Sequence, residues 1–270
     1  MSILGHEFIY DGINSVSYGL TILNVYETPT KQISGTLTYE TEGYNNGVHN
    51  IIKKASYEPY SFVIEIVSDK IITEEKLTEI NCWLFNRLQY KKLFILSHDY
   101  TNIYYNCIFS NPEKYDFCGK DGFGCYGFKA TVLCENPWAY EGPYTLTYST
   151  ETLASTFIFI NHSEDPGYLY PEIKLDVGAT PGDIKIKNIS DNEREVIITD
   201  LSDGIENYSG ESLYIDSRKC TIESSLDRNV YGHLYLKRFP RFIPGENKLS
   251  VTGDVSNLSI TYKKARRVGI

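Results

Sequence analysis

Helical apolar spacing is clear in only one stretch of this 270-residue chain, from Thr73 to Phe85. Three apolar residues recur there at i, i+3 and i+7, which places them on one side of a helix: Leu77, Ile80 and Leu84. Thr73 is a favourable N-cap, and the two glutamates after it suit the positive end of the helix dipole. We expect Trp83 to border this buried stripe and the helix to end near Asn86.

The rest of the chain has the character of β-structure. Its 23 tyrosines and 12 phenylalanines favour half-buried, pleated surfaces, and its apolar runs are short and punctuated by Gly, Asn and Asp. The predicted strands cover 7–10, 61–66, 93–96, 103–109, 126–134, 156–160, 172–175, 183–187, 195–199, 212–215, 248–251 and 258–262. This pattern predicts a mostly β protein with one α-helix, in which β-sandwich or jelly-roll domains supply the architecture.

A change of character near Glu135-Asn136-Pro137-Trp138 divides the chain. Pro137 and Pro143 are expected to interrupt strand pairing, as at a link between domains. The predicted domains are therefore residues 1–138, which contain the helix in a β-sandwich-like domain, and residues 139–270, which show no helical pattern. Turn signals stand at Asp11-Gly12 and at Gly43–Gly47.

The charge balance argues against nucleic acid as a tightly bound partner. The formal net charge is −9, and phosphate binding requires a basic face. The densest basic cluster lies close to the last residue, where such clusters usually form solvated tails: Lys263, Lys264, Arg266 and Arg267.

Cysteine usage and the first residues indicate assembly in a cytoplasm. The first nineteen residues lack the apolar run of a secretory signal, and no stretch approaches the roughly 20 apolar residues that span a bilayer, so no membrane partner is expected. We therefore predict six reduced, mostly buried thiols: Cys82, Cys107, Cys118, Cys125, Cys134 and Cys220.

Motifs for catalysis or cofactor binding are weak. The run Gly122–Gly127 has the GxGxxG spelling, but a strand follows it instead of a helix, so we interpret it as a glycine-rich hairpin. A zinc site using Cys118, Cys125 and Cys134 with a histidine would need irregular spacings. The five histidines, His6, His49, His98, His162 and His233, show no metal-binding spacing among themselves.

Two acidic loops, 162–165 and 200–204, lack the spacing of a calcium loop and are predicted to be solvated turns. We therefore predict a protein that is not an enzyme, with no catalytic, cofactor-binding or metal-binding residues and no cofactor.

Four segments, in this order, resemble the distal tail proteins of long-tailed bacteriophages. The first is Phe8–Ser15 followed by Tyr18-Gly19-Leu20, and the second is the strand and helix that end in Trp83-Leu84. The third is Phe128–Cys134 with Asn136-Pro137-Trp138-Ala139, and the fourth comprises Leu213–Ser217 and Phe239–Asn247. The match is loosest from Tyr39 to Glu58. From the residues alone, Pro244-Gly245 predicts a turn, and Asp216 is expected to cap a turn through its carboxylate.

The resemblance implies a structural component of the virion. Its members form a ring of six copies at the phage tail tip, which joins the tail tube to the tail-tip hub, the baseplate and the receptor-binding proteins. DNA passes through the bore of the ring without specific binding, and the second domain is a galectin-like β-sandwich on the outside. No catalytic residue follows from the resemblance.

Two further interpretations come from the residues. The C-terminal sandwich could act as a carbohydrate-binding module or host-wall adhesin, because tyrosine faces stack on sugars, although tyrosines more often cover sheets. An enzyme such as a glycosidase is a third possibility, which the lack of catalytic motifs disfavours. We also expect acidic or neutral groups to line the bore, since basic groups would hold DNA. Negative charge that serves only solubility is the alternative.

Overall fold

The computed structural model describes residues 6–26, 35–44, 49–96, 101–178, 182–199, 201, 210–226 and 228–268. The chain divides into two compact units, the first made of Met1–Glu141 with Arg266–Ile270 and the second of Gly142–Ala265. The second unit begins within a few residues of the predicted link, but the last residues of the chain cluster with the first unit, which the sequence pattern does not indicate. The predicted turn at Gly43–Gly47 and the acidic loop 200–204 lie largely outside the described residues, and His98 lies wholly outside them.

The described residues of the first unit form nine strands and one α-helix, and a tenth strand begins at its border. The strands are β1 Glu7–Tyr10, β2 Ile13–Asn14, β3 Leu20–Tyr26, β4 Leu37–Tyr44, β5 His49–Tyr57, β6 Ser61–Ser68, β7 Lys91–Leu96, β8 Ile103–Gly119, β9 Gly122–Cys134 and β10 Ala139–Ser149. The helix α1 is Glu74–Leu84, between β6 and β7, and a 3-10 turn covers Ser15–Tyr18.

The main sheet of the first unit is antiparallel, in the order β3-β6-β9-β8-β7-β1-β2. The first residues of β10 pair with β8 through Tyr140 and Tyr104. Strands β4 and β5 pair only with each other among the described residues and form a separate two-stranded hairpin.

Helix α1 and the buried face of the sheet share one core. Thr73 caps the helix by accepting a hydrogen bond from Lys76 N at 3.3 Å, and the predicted stripe is buried. Trp83 is also buried: its ring stacks on those of Phe8 and Tyr18, with centroids 5.7 Å and 4.9 Å away. Its indole N–H donates to Tyr10 O at 2.9 Å, so Trp83 is buried together with the stripe that it was expected to border.

The second unit is a β-sandwich. It contains most of β10 and β11 Phe157–Asn161, β12 Glu172–Val177, β13 Ile184–Asn188, β14 Arg194–Ile198, β15 Ser212–Asp216, β16 Thr221–Ser224, β17 Gly245–Thr252 and β18 Val255–Arg266. One sheet has the order β16-β15-β12-β18-β10, and the other has the order β11-β17-β13-β14. Alternating apolar residues from both sheets meet in one core, as a period-2 pattern requires.

One detail of the second unit differs from the sequence prediction. A one-turn helix, α2 Thr150–Leu153, lies where no helix was expected, and it buries only Leu153. A turn this short has no apolar periodicity to detect. The sandwich and the mostly β class agree with the prediction, whereas the galectin-like topology stays a prediction.

Candidate interaction surfaces

The glycine-rich run and two of the cysteines that were weighed as binding motifs belong to strand β9. The run Gly122–Gly127 opens β9 directly after the β8–β9 turn, so it is a hairpin and no helix follows it. Within β9, Cys125 and Cys134 lie nine residues apart, about 30 Å along a strand. Among the described residues no group of three or more His, Cys, Asp and Glu side chains is placed to hold a metal ion. No described helix is long and apolar enough to cross a membrane.

The cysteines are free thiols, but only half of them are buried. The expectation of mostly buried thiols is therefore wrong for three of them: Cys82, Cys118 and Cys220. Cys107 and Cys134 face each other across β8 and β9. Burial raises the pKa of the Cys134 thiol to about 12 and, with the neighbouring sulfur, raises that of Cys107 as well.

Two predicted turns are made by buried or partly buried polar side chains. Asp216 Oδ1 accepts hydrogen bonds from the backbone N–H groups of Arg218 and Lys219, both at 3.0 Å. Burial alone would raise the pKa of Asp216, but the Lys219 ammonium and these N–H donors hold it below its usual value. Gly245 has a φ of 79°, and the amide of fully buried Asn247 closes that turn onto Ile243.

The basic residues near the end of the chain do not form a solvated tail. Lys263, Lys264 and Arg266 belong to β18, and the guanidinium of Arg267 lies 4.9 Å from the Trp138 ring centroid. Arg267 Nη2 also donates to the Tyr57 hydroxyl at 3.2 Å. Burial of these long side chains against aromatic rings is the reason that the expectation of a tail is wrong.

The β4–β5 hairpin, Leu37–Tyr57, is an exposed element of the first unit. Every residue from Thr36 to Gly43 is exposed, so this described part of β4 has no buried face. Leu37, Tyr39 and Ile52 share one face by the strand register, and they are 45%, 62% and 61% exposed. This apolar face has nothing to cover it within the described chain.

Contacts with the segment that follows β9 hold the base of the hairpin in place. Gly35 donates its N–H to Pro137 O at 3.0 Å, and a Cβ atom at this position would come within 1.7 Å of Glu58 O. Tyr57 packs on Trp138, with ring centroids 4.6 Å apart. The hairpin is thus held at its root while its apolar face stays exposed, an arrangement that suits contact with another protein.

Sequence reasoning located none of this surface. The hairpin covers the stretch where the family resemblance is loosest. Leu37-Thr38-Tyr39-Glu40 alternates as a strand does, but alternation alone does not show that the apolar face is left uncovered in the folded chain.

A β-rich fold with an exposed apolar hairpin is typical of a structural protein that works through contacts with other chains. Comparison with known proteins identifies the family to which the chain belongs. Residues 4–136 match a family model described as a phage tail protein N-terminal domain, and residues 138–262 match the corresponding phage tail C-terminal domain. The chain belongs to this family of phage tail proteins. No curated protein sequence matches it.

Solved structures of phage tail components share the fold. The Dit protein of phage SPP1, gp 19.1, described as a paradigm of the hub adsorption apparatus in phages that infect Gram-positive hosts, aligns with a TM-score of 0.72 at 12% identity. The alignment covers 96% of this chain and 99% of that one. A chain of the phage P2 baseplate, in its activated conformation with Ca, aligns with a TM-score of 0.56 at 9% identity over 98% and 100% of the two chains.

Proposed function

We propose that the chain is the distal tail protein of a long-tailed phage and assembles as a closed ring of six copies at the tail tip. The ring joins the tail tube to the hub, the baseplate and the receptor-binding proteins, and DNA leaves through its bore. The role is structural and not catalytic, and assembly takes place in the host cytoplasm before the virion is released. Residues 1–138 form the ring, and residues 139–270 form an outer, galectin-like sandwich.

The observation that carries this proposal is the β4–β5 hairpin. An isolated two-stranded hairpin is at best marginally stable in water, so one with an uncovered apolar face needs a partner surface. A hairpin from one copy that packs on a different surface of the next copy makes a head-to-tail contact, and such contacts close into rings when the rotation permits. The likeness in fold to a hub protein and to a baseplate chain supports the same role.

The hairpin's contribution to each contact can be estimated. Tyr39 is 62% exposed, and a tyrosine offers on the order of 200 Å² in all, so covering it removes about 120 Å² from water. At about 25 cal/mol per Å² this stabilises the contact by about 3 kcal/mol, and Ile52 adds about 1–2 kcal/mol. Loss of both contributions weakens each contact by about a thousandfold.

The experiment is a double substitution, Tyr39→Ser with Ile52→Ser. The matched control is Tyr214→Ser with Ile158→Ser, which removes a tyrosine and an isoleucine that are 47% and 53% exposed in the second unit. We expect the hairpin variant to sediment as a folded monomer while the control forms the same ring as the parent chain. Equal ring formation by both variants would rule out the hairpin as the ring contact.

The bore is proposed to carry acidic or neutral groups. The chain has 35 Asp and Glu residues against 26 Lys and Arg, so it can line a channel without attracting phosphates. Negative charge that only aids solubility is the competing explanation. Charge mapped on the inner face of an assembled ring separates the two, and a bore lined mainly by Lys and Arg, or tight salt-sensitive DNA binding by the ring, contradicts the proposal.

A further inference from the structure

Three arginines and two tyrosines converge at one edge of the second unit. Arg194 begins β14, Arg238 and Arg241 lie in the segment before β17, and Tyr168 and Tyr170 precede β12. We call these five residues the Arg–Tyr cluster. The Arg241 guanidinium carbon is 3.8 Å from the Tyr168 ring centroid, so the cation is stacked on the ring and its plane is fixed.

The charge of the Arg–Tyr cluster is positive although the chain as a whole is negative. One buried carboxylate, Asp191, acts on Arg194 and Arg241, and it pairs with Arg241 through Nε at 2.8 Å and Nη2 at 3.3 Å. Glu193 and Glu195 are near in sequence, but both pair with Lys187, at 3.2 Å and 3.5 Å. With Lys187 and its two glutamates counted, four cations against three carboxylates leave a local excess of one positive charge.

One hydrogen-bond donor of Arg194 is buried without an acceptor among the described residues. Its Nε atom is buried and has no hydrogen-bond partner among the described residues, and its Nη2 reaches Phe239 O only at 3.5 Å. Burial, and then repulsion from Arg241, lowers the pKa of the Arg194 guanidinium below its usual value. An anion bound here would supply the missing acceptor and relieve the repulsion between the cations.

The surface around these cations is shallow and partly apolar. Ile186, Val196, Pro240 and Phe242 line the small pocket beside Arg194 and Arg241. The two tyrosine rings remain open to solvent, 39% exposed for Tyr168 and 48% for Tyr170. Flat aromatic faces beside guanidinium groups suit a ligand that combines apolar ring faces with acidic substituents.

We propose that the Arg–Tyr cluster binds a negatively charged saccharide. The tyrosine faces stack on sugar rings, and the guanidinium groups of Arg194, Arg238 and Arg241 bind the acidic groups. An acidic peptide is the other ligand of matching charge, and peptides commonly add to a sheet edge as an extra strand. At the Ile198 end of β14 that mode is blocked, because Ile198 is already bridged to Leu234 and Thr199 N donates to His233 O. The site adds recognition to the structural role and does not depend on ring formation.

The test uses the full chain and calorimetric titration with oligogalacturonate, which carries one carboxylate on each sugar. A neutral malto-oligosaccharide of the same length and polyglutamate serve as competing ligands. The test variant is Arg238→Gln with Tyr170→Ala, and the matched control is Arg218→Gln with Tyr214→Ala. All four side chains are exposed, and the two tyrosines are 48% and 47% exposed, so neither variant is expected to disturb the fold.

We expect binding of oligogalacturonate that weakens with salt and that the test variant reduces about tenfold or more, while the control variant binds like the parent. The proposal is overturned if the parent shows no binding, if the two variants bind equally, or if the neutral sugar binds as tightly as the acidic one. Polyglutamate binding that matches the acidic sugar would assign the cluster to an acidic protein partner instead, and would equally overturn the saccharide proposal.

Discussion

The ion pair between Glu211 and Arg228 offers the most quantitative test of the second unit. Glu211 is 0% exposed, and the Arg228 side chain is 15% exposed. Arg228 contacts both carboxylate oxygens, with Nε 3.0 Å from Oε1, and its Nη1 donates to Leu201 O at 2.8 Å. Ser224 Oγ donates to the same carboxylate. One guanidinium thus ties three separate stretches of chain together.

Replacement of Arg228 by Met leaves the Glu211 carboxylate buried without its cation. Breaking a buried pair in this way costs about 3–5 kcal/mol, because the remaining charge is desolvated and uncompensated. Replacement of both partners, Glu211→Leu with Arg228→Met, removes the buried charge as well, and such apolar replacements are often neutral or stabilising. We therefore expect the double variant to be more stable than the single variant Arg228→Met.

The assay is urea unfolding of the parent, both variants and an exposed control, Arg218→Met, followed by far-UV circular dichroism. The control should change the free energy of unfolding by less than about 0.5 kcal/mol. A loss below about 1 kcal/mol for Arg228→Met, or a double variant less stable than that single variant, would refute the reasoning that the pair compensates a desolvated charge.

Three further outcomes follow from the structure. In the native protein, Ellman's reagent should titrate three thiols rapidly and the rest only after unfolding, six in total, because the other three are buried and burial raises the pKa of Cys107 and Cys134; the rapid ones are Cys82, Cys118 and Cys220. Asp216→Asn should destabilise the protein by about 1–3 kcal/mol near pH 7. Because the folded pKa of Asp216 is depressed, its stabilisation is present above the unfolded pKa and is lost as the pH falls through the folded pKa, so the two proteins should converge in acid denaturation curves. Arg267→Ala should lower the melting temperature, measured by tryptophan fluorescence, through loss of packing on Trp138, whereas Arg218→Ala should not.

Elements with strong periodicity could be predicted from the sequence. The helix stripe at Leu77, Ile80 and Leu84 and the alternating strands of the sandwich match the structure, because burial of one face selects for apolar residues at a fixed period. Strand β3 was not predicted: it lies at the edge of its sheet and carries Leu23 at 64% exposure, which breaks the alternation.

The Glu211–Arg228 ion pair and the Arg–Tyr cluster could not be predicted from the sequence, because both depend on the tertiary fold. Glu211 and Arg228 are 17 residues apart, on either side of the β15–β16 hairpin, so their contact depends on how those two strands pair. The Arg–Tyr cluster gathers residues from three segments whose proximity depends on sandwich topology. A lone arginine or tyrosine in a loop gives no local signal of its partners, so such sites emerge only when the strands are placed.

The mass of the assembled protein in solution tests the central claim most directly. Six copies of a 30.9 kDa chain give about 185 kDa. We expect mass photometry or light scattering of the purified chain to find this single species, and electron micrographs of it to show a ring with a central bore. A monomer of 30.9 kDa across a wide concentration range, with no ring at the tail tip of assembled particles, would contradict the account.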